Sequence, residues 1–149
     1  MDQHYFEDFE PGQVFCSKNT FVVEAQHIKD FAAMYDPQPF HMDEEAAEKS
    51  FFQGLAASGW MTASLTMKLQ VEGELCPAGG VIGAGIDELR WVRPVRPGDT
   101  LRTETKVLEV RASTSRPNQG VIKVKTTTLN QEDKPVQVCV GNLMVLRRT

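Results

Sequence analysis

The sequence predicts an α+β fold in which an apolar helix lies on one face of an antiparallel sheet. Three observations carry this expectation. Helical periodicity occupies the first half of the chain, one central segment is written in helix-forming residues, and from Gly80 onward the texture turns to long runs rich in Val, Thr and Ile. With 149 residues, 41% of them hydrophobic and 24% charged, the chain has the size and composition of one globular domain spanning residues 1–149. Such a length buries about 68 to 70% of the surface exposed in the unfolded chain, so packing alone can hold it.

The first element, "VFCSKNTFVV" (residues 14–23), reads as a short strand pair or one broken strand. In "EAQHIKDFAAMY", Ile28, Phe31, Ala32 and Tyr35 fall at i, i+3, i+4 and i+7, the signature of one buried helical face. Pro37 and Pro39 disfavour helical backbone at Asp36 and Gln38, so this helix stops near Tyr35 and continues as an extended or turning segment. "MDEEAAEKS" then offers Asp43 as an N-cap and a Glu45–Lys49 pair at i, i+4, the marks of a short solvated helix.

In "AASGWMTASLTMKLQVEGE", Ala63, Leu65, Met67, Leu69 and Val71 alternate as in a strand. The run is about twice a strand's length and its vocabulary is helical, which decides for a helix over residues 59–71. Ser58 caps it, Gly73 stops it, and its apolar content predicts burial on several sides. The later segments "AGIDELRWVRP", "TLRTETKVLEVRAS", "GVIKVKTTTLNQ" and "PVQVCVGNLMVLRR" are separated by "VRPGD", "RPNQG" and "NQEDKP". Long strands with short, turn-rich connections predict an antiparallel meander.

A formal net charge of −4 argues against a nucleic-acid partner or an anionic membrane surface. The N-terminus lacks the charged and apolar regions of a leader, and no run approaches about 18 apolar residues, so a cytoplasmic location is expected. Cys16, Cys76 and Cys139 are far apart and show no metal spacing, which suits buried structural thiols in a reducing compartment.

Neither G-x-x-x-x-G-K-[ST] nor G-x-G-x-x-G before a helix occurs, and no nucleophile sits in G-x-S-x-G. The chemistry left is that of acids, histidines and backbone amides. His4 lies in a loose terminus and His27 beside the buried stripe, and both read as surface residues. His41 follows a bend stiffened by two prolines, with Asp36 five residues before it. An imidazole beside a carboxylate moves protons near neutral pH, whereas a turn-forming Asp36 and a His41 that merely caps the acidic segment is the plainer alternative. Asp43 and Glu44 do not complete a metal site with His41. On period 2, Arg90 and Arg96 share a strand face and Arg93 takes the other, as phosphate ligands or as charges along a solvated sheet edge.

The stretches "FAAMYDPQPFHMDEEAA" and "FFQGLAASGWMTASLTMKL", with the later "LRWVRPVRPGDTL", resemble the MaoC-like dehydratases, the (R)-specific enoyl-CoA hydratases of the hot-dog fold. The hallmark D-x-N-P-[LI]-H is matched by Asp36, Pro39, Phe40 and His41, and the resemblance covers nearly the whole chain. It implies a sheet wrapped around a long central helix, no cofactor, and a coenzyme A thioester as substrate. It implies that Asp36 and His41 activate a water for addition to C3 of a trans-2-enoyl thioester, or run the reverse dehydration. The amide of Gly59, after Ser58, would hold the thioester oxygen. Substrate contacts are expected from Gln38, Ser58, Arg90 and Arg93, with the tunnel formed in a homodimer. The chain departs from the hallmark at Gln38, a longer amide in the Asn position, and at Pro37. A thioester-binding module without catalysis and a hot-dog thioesterase are the competing readings.

Overall fold

A computed structural model describes residues 2–148. After a single 3-10 turn at Phe6–Asp8, the elements are β1 (Val14–Cys16), β2 (Phe21–Val22), α1 (Ala25–Tyr35), α2 (Pro39–Met42) and α3 (Glu44–Glu48). There follow α4 (Gly59–Val71), β3 (Ile82–Trp91), β4 (Thr100–Ala112), β5 (Gln119–Leu129) and β6 (Pro135–Leu146). The sheet has the order β1-β4-β5-β6-β3, with β2 also paired to β4, and every pairing is antiparallel. The two short N-terminal strands are one interrupted edge along β4.

The expected meander holds for β4, β5 and β6 but not for β3, which pairs with β6. Residues 92–99 contain Pro94 and Pro97, which cannot donate to a ladder, and this segment crosses to the other side of the sheet instead of closing a hairpin. On the way it is tied to the start of α4, where Ala57 N–H donates to the Val95 carbonyl at 2.9 Å.

Helix α1 buries Ile28 and Ala32 as its periodicity predicts, while Tyr35 is 68% exposed because the chain leaves the core one turn earlier. Ile28 joins Val23, Leu55, Val95, Leu101 and Val136 in an apolar cluster between helices and sheet. A second cluster, with Phe9, Leu75, Val107, Ile122 and Val145, fills the far end. There His4 is not loose: its Nδ1 meets the Leu75 carbonyl at 2.8 Å, and its ring packs on Phe9 and Phe15. All three cysteines are free but half-buried rather than sealed in the core.

The limits of α4 agree with the expected 59–71, but its surroundings differ. One face is buried, by Met61, Thr62, Thr66, Leu69 and Gln70, whereas Trp60, Met67 and Val71 are exposed. Of the alternating set only Leu69 is buried, since a helix turning 100° per residue spreads every second residue around its circumference. No described helix is long and apolar enough to cross a membrane.

Candidate active site

The proline-rich bend is more ordered than an extended exit. Asp36 N–H closes α1 on the Ala32 carbonyl at 2.9 Å, and Gln38 N–H turns back to the Asp36 carbonyl at 2.7 Å. Gln38, held extended by the following proline, is the N-cap of α2, and Pro39 begins that helix, where its missing N–H costs nothing. His41 sits on this single helical turn, its N–H bonded to the Gln38 carbonyl at 3.0 Å. The backbone thus folds two side chains five residues apart onto each other: Asp36 Oδ2 and His41 Nε2 are 3.3 Å apart.

The imidazole is 4% exposed, enclosed by Phe40 and Phe52. Its Nδ1 lies 2.6 Å from the carbonyl oxygen of Ala56. A carbonyl only accepts, so Nδ1 carries the proton and Nε2, facing Asp36, is the nitrogen that exchanges one. That carbonyl is itself fixed, because Leu55, Ala56, Ala57 and Ser58 are all buried. Arg96 donates to the Leu55 carbonyl at 3.3 Å and to the Phe52 carbonyl, bracing the same segment.

Burial pushes the Asp36 carboxyl up, but hydrogen bonds from Gln38 and Ser58 and the neighbouring His41 charge outweigh it, leaving the group below its ordinary range. Gln38 Nε2 donates to Asp36 Oδ1 at 2.5 Å. Gln38 therefore orients the carboxylate, and its longer amide does so from an exposed position on the bend. Ser58, fully buried, lies close enough to Asp36 to help hold its carboxyl down, and its Oγ accepts from Trp60 N–H at 3.3 Å as the cap of α4. One serine couples the carboxylate to the helix start.

Beside this pair opens a cavity of about 540 Å³, lined by His41, Gly59, Phe52, Thr62, Trp91 and Arg96 among others. Gly59 is the first residue of α4, and among the described residues its N–H has no partner, as helix geometry leaves it. A side chain there is excluded by Trp91: a Cβ on Gly59 would lie 2.4 Å from the indole Cε2. Asp36 is not among the residues that line the cavity; His41, against which it sits, is.

The arginines divide differently from the period-2 expectation, because β3 ends at Trp91 and Arg93 and Arg96 lie in the crossing segment. Arg90 pairs with Glu88 at 2.6 Å on the strand and is not part of the cavity. Arg93 lines it, with one guanidinium nitrogen on the Pro135 carbonyl. Sequence reasoning missed Trp91, Phe52, Thr62 and the Ala56 carbonyl. The cue within reach was "RWVRP", an aromatic three residues before a proline at a strand end; the carbonyl left no trace in the sequence.

Sheet order and helix placement are those of the hot-dog fold. The family model of the MaoC-like domain matches residues 8–130, and the chain belongs to that family. The MaoC-like dehydratase of Rhodospirillum rubrum superposes with a TM-score of 0.94 at 49% identity, over 98% of this chain and 99% of that one. The uncharacterised protein YdeM of Bacillus subtilis is 36% identical over 94% of this chain and 96% of its own length. The R-hydratase PhaJ1 of Pseudomonas aeruginosa, in its unliganded form, gives a TM-score of 0.73 at 26% identity, over 97% of this chain and 86% of that one.

Proposed function

We propose that this protein is an (R)-specific hydratase of trans-2-enoyl-CoA, or the dehydratase running the same reaction backward. The single observation that carries the proposal is the Asp36–His41 contact at 3.3 Å, with His41 Nδ1 tied to a backbone carbonyl. A water at the cavity side of the Asp36–His41 contact loses a proton to this pair as its oxygen bonds to C3 of the substrate. The pair returns a proton to C2, so the enzyme ends each turnover unchanged and H₂O is added across the double bond. Between these events negative charge collects on the thioester oxygen, where the Gly59 N–H and the N-terminal end of α4 meet it.

Magnitudes favour this division. A positioned acid/base contributes about 10²- to 10⁴-fold, and one oxyanion donor about 2.7 to 4 kcal/mol. Ser58 and Gln38 act as positioning residues, keeping Asp36 ionised and aimed. Arg93, at the cavity wall, meets the coenzyme A phosphates; Arg90, engaged with Glu88, is left out of this role. The chemistry asks for no cofactor.

Two chains are inferred to pair through β3, which ends the sheet and exposes Ile82, Ile86 and Trp91 along a ten-residue edge. A ten-residue edge with one side unpaired offers backbone groups for such pairing. Light scattering on the purified protein reads the mass, and a monomer would contradict the pairing.

The activity is tested by mixing the protein with crotonyl-CoA and following loss of the conjugated thioester absorbance. The expected product is (R)-3-hydroxybutyryl-CoA. Release of free coenzyme A would instead indicate a thioesterase, and tight binding with a flat trace a module without catalysis.

A further inference from the structure

The sheet face beneath α4 carries amides and hydroxyls where aliphatic groups would be expected. On the helix, Thr62, Thr66 and Gln70 are all buried and recur every fourth residue, so they form one stripe. Opposite them lie buried Thr105, Thr126, Thr128 and Gln137. Gln70 Nε2 reaches Thr126 Oγ1 at 3.0 Å and Thr105 Oγ1 at 3.3 Å. Thr66 gives its proton to the Thr62 carbonyl at 2.9 Å, so the 2.6 Å contact with Thr128 is a bond that Thr128 donates.

The end of this seam reaches the cavity. Gln137 is 1% exposed and spends both ends of its amide: Nε2 donates to Thr66 Oγ1 at 3.2 Å, and Oε1 accepts the indole N–H of Trp91 at 3.0 Å. Trp91 and Gln137 are directly opposed in the β3–β6 ladder, so their side chains share a face of the sheet. The indole carbons nearest to an added Gly59 Cβ are Cε2 at 2.4 Å and Cδ2 at 2.5 Å, the two shared by its rings. The ring system therefore lies across Gly59, beside the amide that the proposed reaction uses, and it lines the cavity.

Within a single chain Trp91 stands at the end of an edge strand and is 44% exposed, so that chain's apolar core alone does not hold its orientation. Its bond to the buried Gln137 amide does, together with an edge contact from Trp60, ring centroids 5.2 Å apart. We propose that Trp91, oriented by Gln137, is the specificity-determining wall of the site, limiting the bulk of the acyl group that fits beside the Gly59 N–H and favouring short unbranched 2-enoyl thioesters. Gln137 is a positioning residue, acting through the indole. This inference rests on the hydratase reading for its substrate.

The experiment compares the parent with Trp91→Ala, Trp91→Phe and Gln137→Met, using crotonyl-CoA and trans-2-octenoyl-CoA as substrates. Butyryl-CoA and octanoyl-CoA serve as non-reacting ligands in calorimetric titrations. Trp91→Ala is expected to raise the octenoyl-to-crotonyl ratio of kcat/KM about tenfold or more, the range that a few methylenes command in a pocket. Trp91→Phe and Gln137→Met shift the ratio the same way by a smaller factor, through KM more than kcat. Trp91→Phe retains an aromatic wall and decides the matter should Gln137→Met fail to fold. A parent that binds both saturated thioesters but hydrates neither enoyl-CoA overturns the hydratase reading alone, and the titrations still read the selectivity. An unchanged ratio in folded Trp91→Ala and Trp91→Phe overturns the inference alone. A parent that binds none of the four thioesters overturns both.

Discussion

The two regions that flank the candidate site are held together by opposite chemistry. Around α1, Val23, Ile28, Leu101 and Val136 are fully buried and meet as a plain apolar core. Helix α4 shares that core through Met61 and Leu69, but beneath its Thr62, Thr66 and Gln70 the layer is a hydrogen-bonded seam of threonines and glutamines, in which no buried side-chain polar atom among the described residues lacks a partner. An apolar contact is indifferent to direction and tolerates small shifts, whereas a seam of hydrogen bonds admits one register. The difference teaches where the molecule spends precision: the helix that presents Gly59 is the one seated on directional bonds.

The strongest way to break the comparison is at the site between the regions. Asp36→Asn and His41→Ala are each expected to lower kcat by about 100-fold or more while both variants remain folded at the assay temperature, as a catalytic pair requires. Steady-state kinetics with matched thermal melts check this. Next in size is the apolar side. Leu101→Ala removes a fully buried side chain and should cost about 2 to 5 kcal/mol in urea denaturation.

The seam sharpens the contrast through a double-mutant cycle. Thr66→Val strands the Gln137 amide and the Thr128 hydroxyl at an expected cost of about 1 to 3 kcal/mol. Combining it with Gln137→Met should cost less than the sum of the two single changes, since partners removed together leave fewer unmet groups. A strictly additive pair would show that the seam behaves like ordinary packing. A smaller effect is expected from Gln38→Asn. With an amide one methylene shorter, as in the hallmark, the 2.5 Å bond to Asp36 must be remade by a small shift of the bend, and kcat should change by less than about tenfold, the worth of one hydrogen bond, with stability unchanged.

The smallest effect concerns pH. The folded-state pKa of Asp36 lies below its unfolded value, so its ionised form contributes stability that is fully present above the unfolded pKa of about 3.9. That contribution is lost as pH falls through the lower folded value. The stability difference between the parent and Asp36→Asn should therefore stay constant from about pH 7 to pH 5 and shift against the parent below about pH 4. Urea titrations across that range measure it.

Much of the fold was legible because its signals are local. Pro37 and Pro39 ended α1 where expected, Ser58 began α4, and Asp43 capped α3 with its Oδ2 on Ala46 N–H at 2.8 Å. The pairing of β3 with β6 was not legible, because partner choice among similar strands depends on where residues 92–99 cross, and nothing local states that. Of the site, the approach of Asp36 to His41 could be expected from the hallmark, but the carbonyl that fixes the imidazole tautomer lies 15 residues away and carries no side-chain signature. Arg96 read as a strand residue with phosphate chemistry, yet it spends its donors on the backbone of residues 52 and 55. The seam under α4 escaped detection because periodicity looks for apolar stripes, and Thr62, Thr66 and Gln70 bury a polar one.

The central claim is that Asp36 and His41 together add water to an enoyl thioester, and chiral analysis of the product tests it most directly. Incubated with crotonyl-CoA, the parent should yield (R)-3-hydroxybutyryl-CoA, and Asp36→Asn, shown by its thermal melt to be folded at the assay temperature, should yield almost none. Equal product from the two proteins, or product of the opposite configuration from the parent, would contradict the account.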